Sequence, residues 1–141
     1  MNNEFSINIT SDINNLIEVE NLIESLLEQG KISDAVYGNV IVALTEATLN
    51  GIKHGNKEDV SKTVSISCDI TTDDISFIIE DEGAGFDYNN LPDPTDPENL
   101  EKVNGRGIFI ISNLADKLEF EKNGARMLIS FSLNVPEHQE A

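Results

Sequence analysis

The sequence has little to cross-link it or to balance its acids: one cysteine, no tryptophan and nine lysines and arginines in 141 residues. A single thiol excludes an internal disulfide, so no oxidised staple holds the fold. Cys68 falls in the alternating run Val64-Ser65-Ile66-Ser67-Cys68-Asp69-Ile70, on its apolar side, where a buried, inert thiol is expected rather than a nucleophile. No apolar run approaches the ~20 residues that span a bilayer. Met1-Asn2-Asn3-Glu4 lacks the charged and apolar regions of a signal peptide. The expectation is a cytoplasmic protein. Against 26 acidic residues, the few basic ones leave a net charge of -17. A field of that sign repels polyphosphate backbones and anionic lipid, which argues against direct nucleic-acid or membrane partners. It favours a basic partner surface, although carboxylates that merely keep a protein soluble are the simpler account, since charged faces are usually solvated.

What is present is ordinary for a globular chain, with 39% hydrophobic and 6% aromatic residues. A chain of this length forms one domain, residues 1–141, and folding it buries roughly two-thirds of the surface that it exposes unfolded. Phe5 to Thr10 alternates as a strand does. Ser11 or Asp12 can cap a helix whose apolar stripe is Ile13, Leu16, Ile17, Ile23, Leu26 and Leu27, with Gly30 as its stop. A second helix is expected from Ser33 through Val36, Val40, Ala43, Leu44 and Ala47 to about His54, ended by Gly55. Thr63 to Ile70 and Ile75 to Glu80 read as strands joined by the polar turn Thr71-Thr72-Asp73-Asp74. Tyr88 to Asn104 carries Pro92, Pro94 and Pro97 with little periodicity, the mark of a lid or a linker. Gly105-Arg106-Gly107 opens a helix through Ile108 to Leu114. Lys117 to Glu121 and Met127 to Val135 bracket the hairpin signal Asn123-Gly124, and a frayed tail is expected after Pro136. These elements predict an α+β fold, a two-layer sandwich with a mixed, mostly antiparallel sheet and helices on one face.

Three clusters carry chemistry. In Glu46-Ala47-Thr48-Leu49-Asn50-Gly51-Ile52-Lys53-His54, the residues Glu46, Asn50 and His54 recur every fourth position and share one helix face. A carboxylate and an amide oxygen there suit Mg²⁺, which prefers hard oxygen ligands; the carboxylate equally suits a general base. Gly51 inside a helix costs roughly 1 kcal/mol against Ala and so points to close packing. The second cluster is Asp81-Glu82-Gly83-Ala84-Gly85-Phe86-Asp87, directly after a strand. Its glycines admit positive φ and close approach, and its Asp offers only acceptor oxygens, as an exocyclic amino group requires. A plain glycine turn with a capping Asp reads the same way. The dinucleotide fingerprint is excluded, since Tyr88 stands where a third glycine belongs, and Gly30-Lys31-Ile32 is no P-loop. The third cluster, Gly105-Arg106-Gly107, places backbone N–H groups and a helix dipole where an anion binds; a lid hinge is the alternative.

The order of these clusters resembles the GHKL ATPase superfamily, and within it the anti-sigma regulatory serine-protein kinases. Glu46…Asn50…His54-Gly55-Asn56 is similar to the family's N box, Asp81 to Asp87 to its first glycine box, and Gly105-Arg106-Gly107-Ile108 to its second. Between them, Pro92-Asp93-Pro94 and Pro97-Glu98-Asn99-Leu100 look like the ATP lid, about residues 88–105. The resemblance implies that Asn50 ligates Mg²⁺ and that Asp81 binds the adenine amino group of ATP. It implies that Gly83, Gly85 and Phe86 shape the base pocket, that Gly105, Gly107 and Ile108 line the phosphates, that Glu46 is the general base, and that Arg106 contacts phosphate or partner. It also implies a homodimer that sequesters a sigma factor and phosphorylates a small antagonist protein. One departure is that Ala125-Arg126-Met127 follows Gly124 where the family often has a Thr, which implies a weaker or differently hydrated adenine contact. An ATP-switched binding module is therefore the alternative. A histidine-kinase catalytic domain fits less well, because the chain starts at its first strand and neither His54 nor His138 suits a phosphoacceptor.

Overall fold

The structure is a computed structural model that describes residues 3–85 and 105–134. Phe86, the tail after Pro136 and the lid (apart from Gly105) lie outside the described residues. The elements in chain order are β1 (Asn3–Thr10), α1 (Leu16–Glu28), α2 (Asp34–Asn50), β2 (Thr63–Ile70), β3 (Asp74–Glu80), α3 (Gly105–Leu114), β4 (Lys117–Glu121) and β5 (Arg126–Ser132). The strands form one sheet in the order β1-β2-β3-β5-β4. Each pairing is antiparallel, so the sheet expected to be mixed is uniform among the described residues. Short connections produce this result, because β2–β3 and β4–β5 are hairpins. The fold is the α+β sandwich anticipated from the sequence.

Alternation along the strands separates the faces. Ile9, Val64, Ile66, Cys68, Ile75, Phe77, Ile79, Met127, Ile129 and Phe131 are buried under the helices. Phe77 sits at the centre of this layer, with its ring 6.4 Å from Phe5 and 6.3 Å from Phe131. Cys68 is 1% exposed, the packing role expected of it. On the other face Ser76 and Ser130 share a hydrogen bond of 3.0 Å.

Two expectations for the first helix are corrected. It starts at Leu16, because Asp12 caps only the single turn Ile13–Asn15, accepting from the Asn14 N–H. Ser11 instead donates to the Lys62 carbonyl at 2.8 Å. The buried stripe is Val19, Ile23 and Leu26, while Ile13 and Ile17 are 38% and 54% exposed. The i, i+4, i+7 spacing holds, but its phase is set by the sheet that the helix lies on. The stop is as expected: Gly30 N–H bonds Leu27 O and Lys31 N–H bonds Leu26 O, a Schellman arrangement.

Helix α2 is the spine of the helical layer, packing against both α1 and α3. Val40, Ala43, Leu44 and Ala47 are fully buried along it. Thr48 is buried as well, and its hydroxyl has no hydrogen-bond partner among the described residues. Replacing a buried, unpaired hydroxyl by a methyl removes a desolvation cost. Thr48→Val is therefore expected to raise unfolding free energy by about 1 kcal/mol, measured as a higher urea midpoint at unchanged slope.

Candidate functional site

The C-terminal end of α2 does not simply stop. It widens into a π-helical turn, Gly51–Gly55, closed by the Asn56 N–H on the Gly51 carbonyl at 2.8 Å. Such turns concentrate at functional sites. The chain then reverses through two left-handed residues, Lys57 and Glu58, at φ of 54° and 57°. Neither is glycine, so both conformations are strained.

Against this turn lies the loop that leaves β3. A Cβ on Gly55 would fall inside the Asp81 carboxylate, and one on Gly83 would fall on the Gly55 carbonyl. The helix end and the loop therefore meet backbone to backbone. Gly51 takes part less severely, since a Cβ there would sit 3.5 Å from that of Asp81. Gly85, with φ of 89°, brings the loop onto the Asn123 carbonyl in the β4–β5 turn.

Three successive N–H groups hold the loop. Asp81 N–H bonds the Ala125 carbonyl at 2.9 Å, Glu82 N–H bonds Asn56 Oδ1 at 2.8 Å, and Gly83 N–H bonds Asp81 Oδ1 at 2.7 Å. The Asp81 carboxyl is thereby anchored through one oxygen in an almost buried position, 8% exposed. Burial pushes its pKa above the ordinary aspartate value; the Gly83 N–H opposes this, and neighbouring Glu80 adds to it.

The other sequence-derived site residues spread along α2 and α3. Asn50 is the last residue of α2 and is 6% exposed. Its amide makes no side-chain hydrogen bond among the described residues. Glu46, one turn earlier, is half-buried. A Cβ on Gly107 would lie 3.3 Å from Glu46 Oε1, so the carboxylate abuts the first turn of α3. Arg106 is exposed on that turn, and Ile108 is 5% exposed in the core. Ile108 therefore anchors α3 and has only backbone to offer a ligand. His54 is exposed and departs from the i+8 line of Glu46 and Asn50, because a π turn takes up more residues per revolution. Partial burial, and then Lys53, hold its pKa below the ordinary imidazole value, so its ring is neutral near pH 7. Among the described residues no group of three or more His, Cys, Asp or Glu side chains gathers to hold a metal. The hard oxygens of Glu46 and Asn50, on adjacent turns, nevertheless suit Mg²⁺ with most of its ligands supplied by phosphates.

The sequence marks Gly55 only as a helix stop and gives Asn56 and Glu82 no role of their own. The available signal was glycine recurring at Gly51 and Gly55, four residues apart at a helix end, which marks a surface another backbone approaches.

Residues 9–133 match the histidine kinase-like ATPase domain, and the chain belongs to that family. Among curated proteins it is similar to the serine-protein kinase RsbW of Bacillus cereus (strain AH187), 31% identical over 84 residues, covering 55% of this chain and 52% of the relative. The same figures hold for the RsbW of Bacillus thuringiensis subsp. konkukian (strain 97-27). For the RsbW of Bacillus anthracis (strain A0248) the identity is 30% over 84 residues, with 55% and 52% covered. The chain spans about half the length of the curated relatives it matches. No helix among the described residues is long and apolar enough to cross a membrane.

Three outcomes follow from the geometry. Gly38, exposed inside α2 with open space where a Cβ would go, is expected to gain about 0.5–1 kcal/mol of stability as Gly38→Ala. Gly55→Ala should lose stability, with calorimetry of both variants as the check. Because burial raises the Asp81 pKa in the folded state, its ionisation disfavours folding above that pKa, and the penalty disappears below the unfolded value. Asp81→Asn is therefore expected to melt higher than wild type near neutral pH, with the difference closing towards about pH 4.

Proposed function

We propose that this protein is an ATP-binding regulator of the anti-sigma type, a serine kinase. It transfers the γ-phosphoryl group of ATP to a small antagonist protein, and it sequesters a sigma factor. The observation that carries the reading is the Asp81 carboxylate, held by backbone contacts at the end of α2 as an acceptor for an exocyclic amino group. The family of residues 9–133 and its similarity to serine-protein kinases support it.

In this reading Asp81 selects adenine, Gly83 and Gly85 let the base approach backbone, and Phe86, outside the described residues, is assigned to the same nucleotide site. The N-terminal turn of α3, from Gly105 through Arg106 and Gly107 to Ile108, presents N–H groups and the positive helix end to the phosphates. Arg106 adds a charge-assisted contact. Asn50 contributes an amide oxygen to Mg²⁺, which when bound neutralises charge on the phosphate oxygens. Glu46, against that same turn, accepts the proton of the attacking serine hydroxyl. The work of the protein is positioning and charge compensation, as is general for phosphoryl transfer. The protein acts as a cytoplasmic homodimer without contacting nucleic acid or membrane, and it controls transcription through its protein partners.

One observation favours a second reading, in which ATP switches partner binding without useful phosphotransfer. Ala125, 6% exposed beside Asp81, brings no hydroxyl to the base pocket. The two readings part at Glu46. With γ-labelled ATP, Mg²⁺ and cell extract, wild type is expected to label one small protein on serine. Glu46→Ala should lower that rate about 100-fold or more while binding ATP within a few-fold of wild type. ATP binding without any labelled protein would establish the switch instead.

A further inference from the structure

Asn56 is 1% exposed and saturates its side chain. Its Nδ2 donates to Ser11 Oγ at 2.9 Å and to the Thr63 carbonyl at 2.9 Å, and its Oδ1 accepts the Glu82 N–H at 2.8 Å. Ser11 is fixed in turn, since its hydroxyl donates to the Lys62 carbonyl at 2.8 Å. Its own N–H reaches the same oxygen at 3.2 Å. Glu82 is gripped a second time, because its Oε2 accepts from the Thr63 N–H at 2.7 Å and the Thr63 hydroxyl at 3.2 Å. One buried amide thus joins the ends of β1 and β2, the turn after α2 and the residue between Asp81 and Gly83.

This arrangement exceeds what holding β1 to β2 requires, since those strands already pair from Asn3 to Thr10. What the ladder does not do is fix the loop after β3. There the Ala125 carbonyl holds Asp81 from one side, and Asn56 holds the following peptide from the other. The rotation of the Asp81 carboxyl relative to the π turn depends on both.

We propose that Asn56 is a positioning residue for base selection, setting the Asp81 carboxylate through the Glu82 peptide so that the site takes an amino-bearing purine over an oxo-bearing one. This rests on the ATP-site reading above. The chemistry is that of matched donors and acceptors. Adenine offers Asp81 an N–H where guanine offers a carbonyl, and acceptor facing acceptor is penalised only if the carboxylate cannot swing away. A loop freed from Asn56 can swing.

The test is equilibrium binding of ATP and of GTP, each with Mg²⁺, to the full chain and to Asn56→Ala, with folding checked by circular dichroism and thermal melting. Wild type is expected to prefer ATP. Asn56→Ala is expected to shrink that preference about tenfold, with GTP gaining relative to ATP as the freed carboxylate swings clear of the guanine carbonyl. Equal weakening towards both nucleotides would reduce Asn56 to a structural role and overturn the inference, as would an unchanged ratio. If Asn56→Ala does not fold, Ser11→Ala removes one of the two acceptors of Nδ2 and keeps Asn56. A smaller shift in the same direction supports the inference, and an unchanged ratio overturns it. Wild type that binds neither nucleotide, or both alike, overturns the ATP-site reading itself, an outcome distinct from failure of the Asn56 proposal alone.

Discussion

The end of α2 presents bare backbone at Gly55 to the loop after β3, and the geometry of the candidate site depends on this contact. Gly83 rests on the Gly55 carbonyl, and the Asp81 carboxylate occupies the space that a Cβ of Gly55 would take. Close-packed interiors resist adjustment by fractions of a side chain. A bulkier residue at either position would therefore displace the loop as a unit. The other features at this end of the molecule follow from the same approach. The π turn opens the helix surface where the loop arrives, and the left-handed pair Lys57 and Glu58 turns the chain away from it. The left-handed Lys122 and Asn123 shape the turn on which Gly85 rests.

Strain and burial penalties gather at this end while the core is unexceptional. The register is regular across β2, β3, β5 and β4, with one shift at the start of β1 between Asn3 and Phe5, and the inner face is aliphatic with a tilted aromatic row centred on Phe77. At the site, by contrast, a carboxylate is held nearly out of water at a cost that its raised pKa records, beside residues in strained backbone conformations. Such costs persist where the surrounding structure determines the conformation from several sides. Here it does so through the Ala125 carbonyl, the Asn56 amide and the Gly83 N–H. Helix α2 links this rigid end to the other half of the site, because Glu46 abuts α3 at Gly107 on the same helix that ends at Asn50.

Most elements were legible in the sequence because each is specified locally. Alternation marked β2 and β3 within a residue of their observed limits, the Asn123-Gly124 signal marked the last hairpin, and Gly30 marked the end of α1. The glycine clusters and the Glu46…Asn50 spacing singled out residues that the fold brings to one end of the helical layer. The stripe of α1 was legible at Ile23 and Leu26 but not at its start, since Ile13 and Ile17 look as apolar as Val19 and Ile23 but only the latter two are buried. A hydrophobic stripe states that one face is buried, and the partner decides which.

Sequence alone determined the period of each element, the places where the backbone must be free of a side chain, and the oxygen-rich character of the candidate site residues. These are properties of single residues and near neighbours. Only the tertiary structure decided what each glycine is for, and that Asn56 spans 45 residues to Ser11 and 26 to the Glu82 peptide. A buried amide is satisfied by whichever partners the fold delivers, and no local pattern encodes contacts between segments so far apart along the chain.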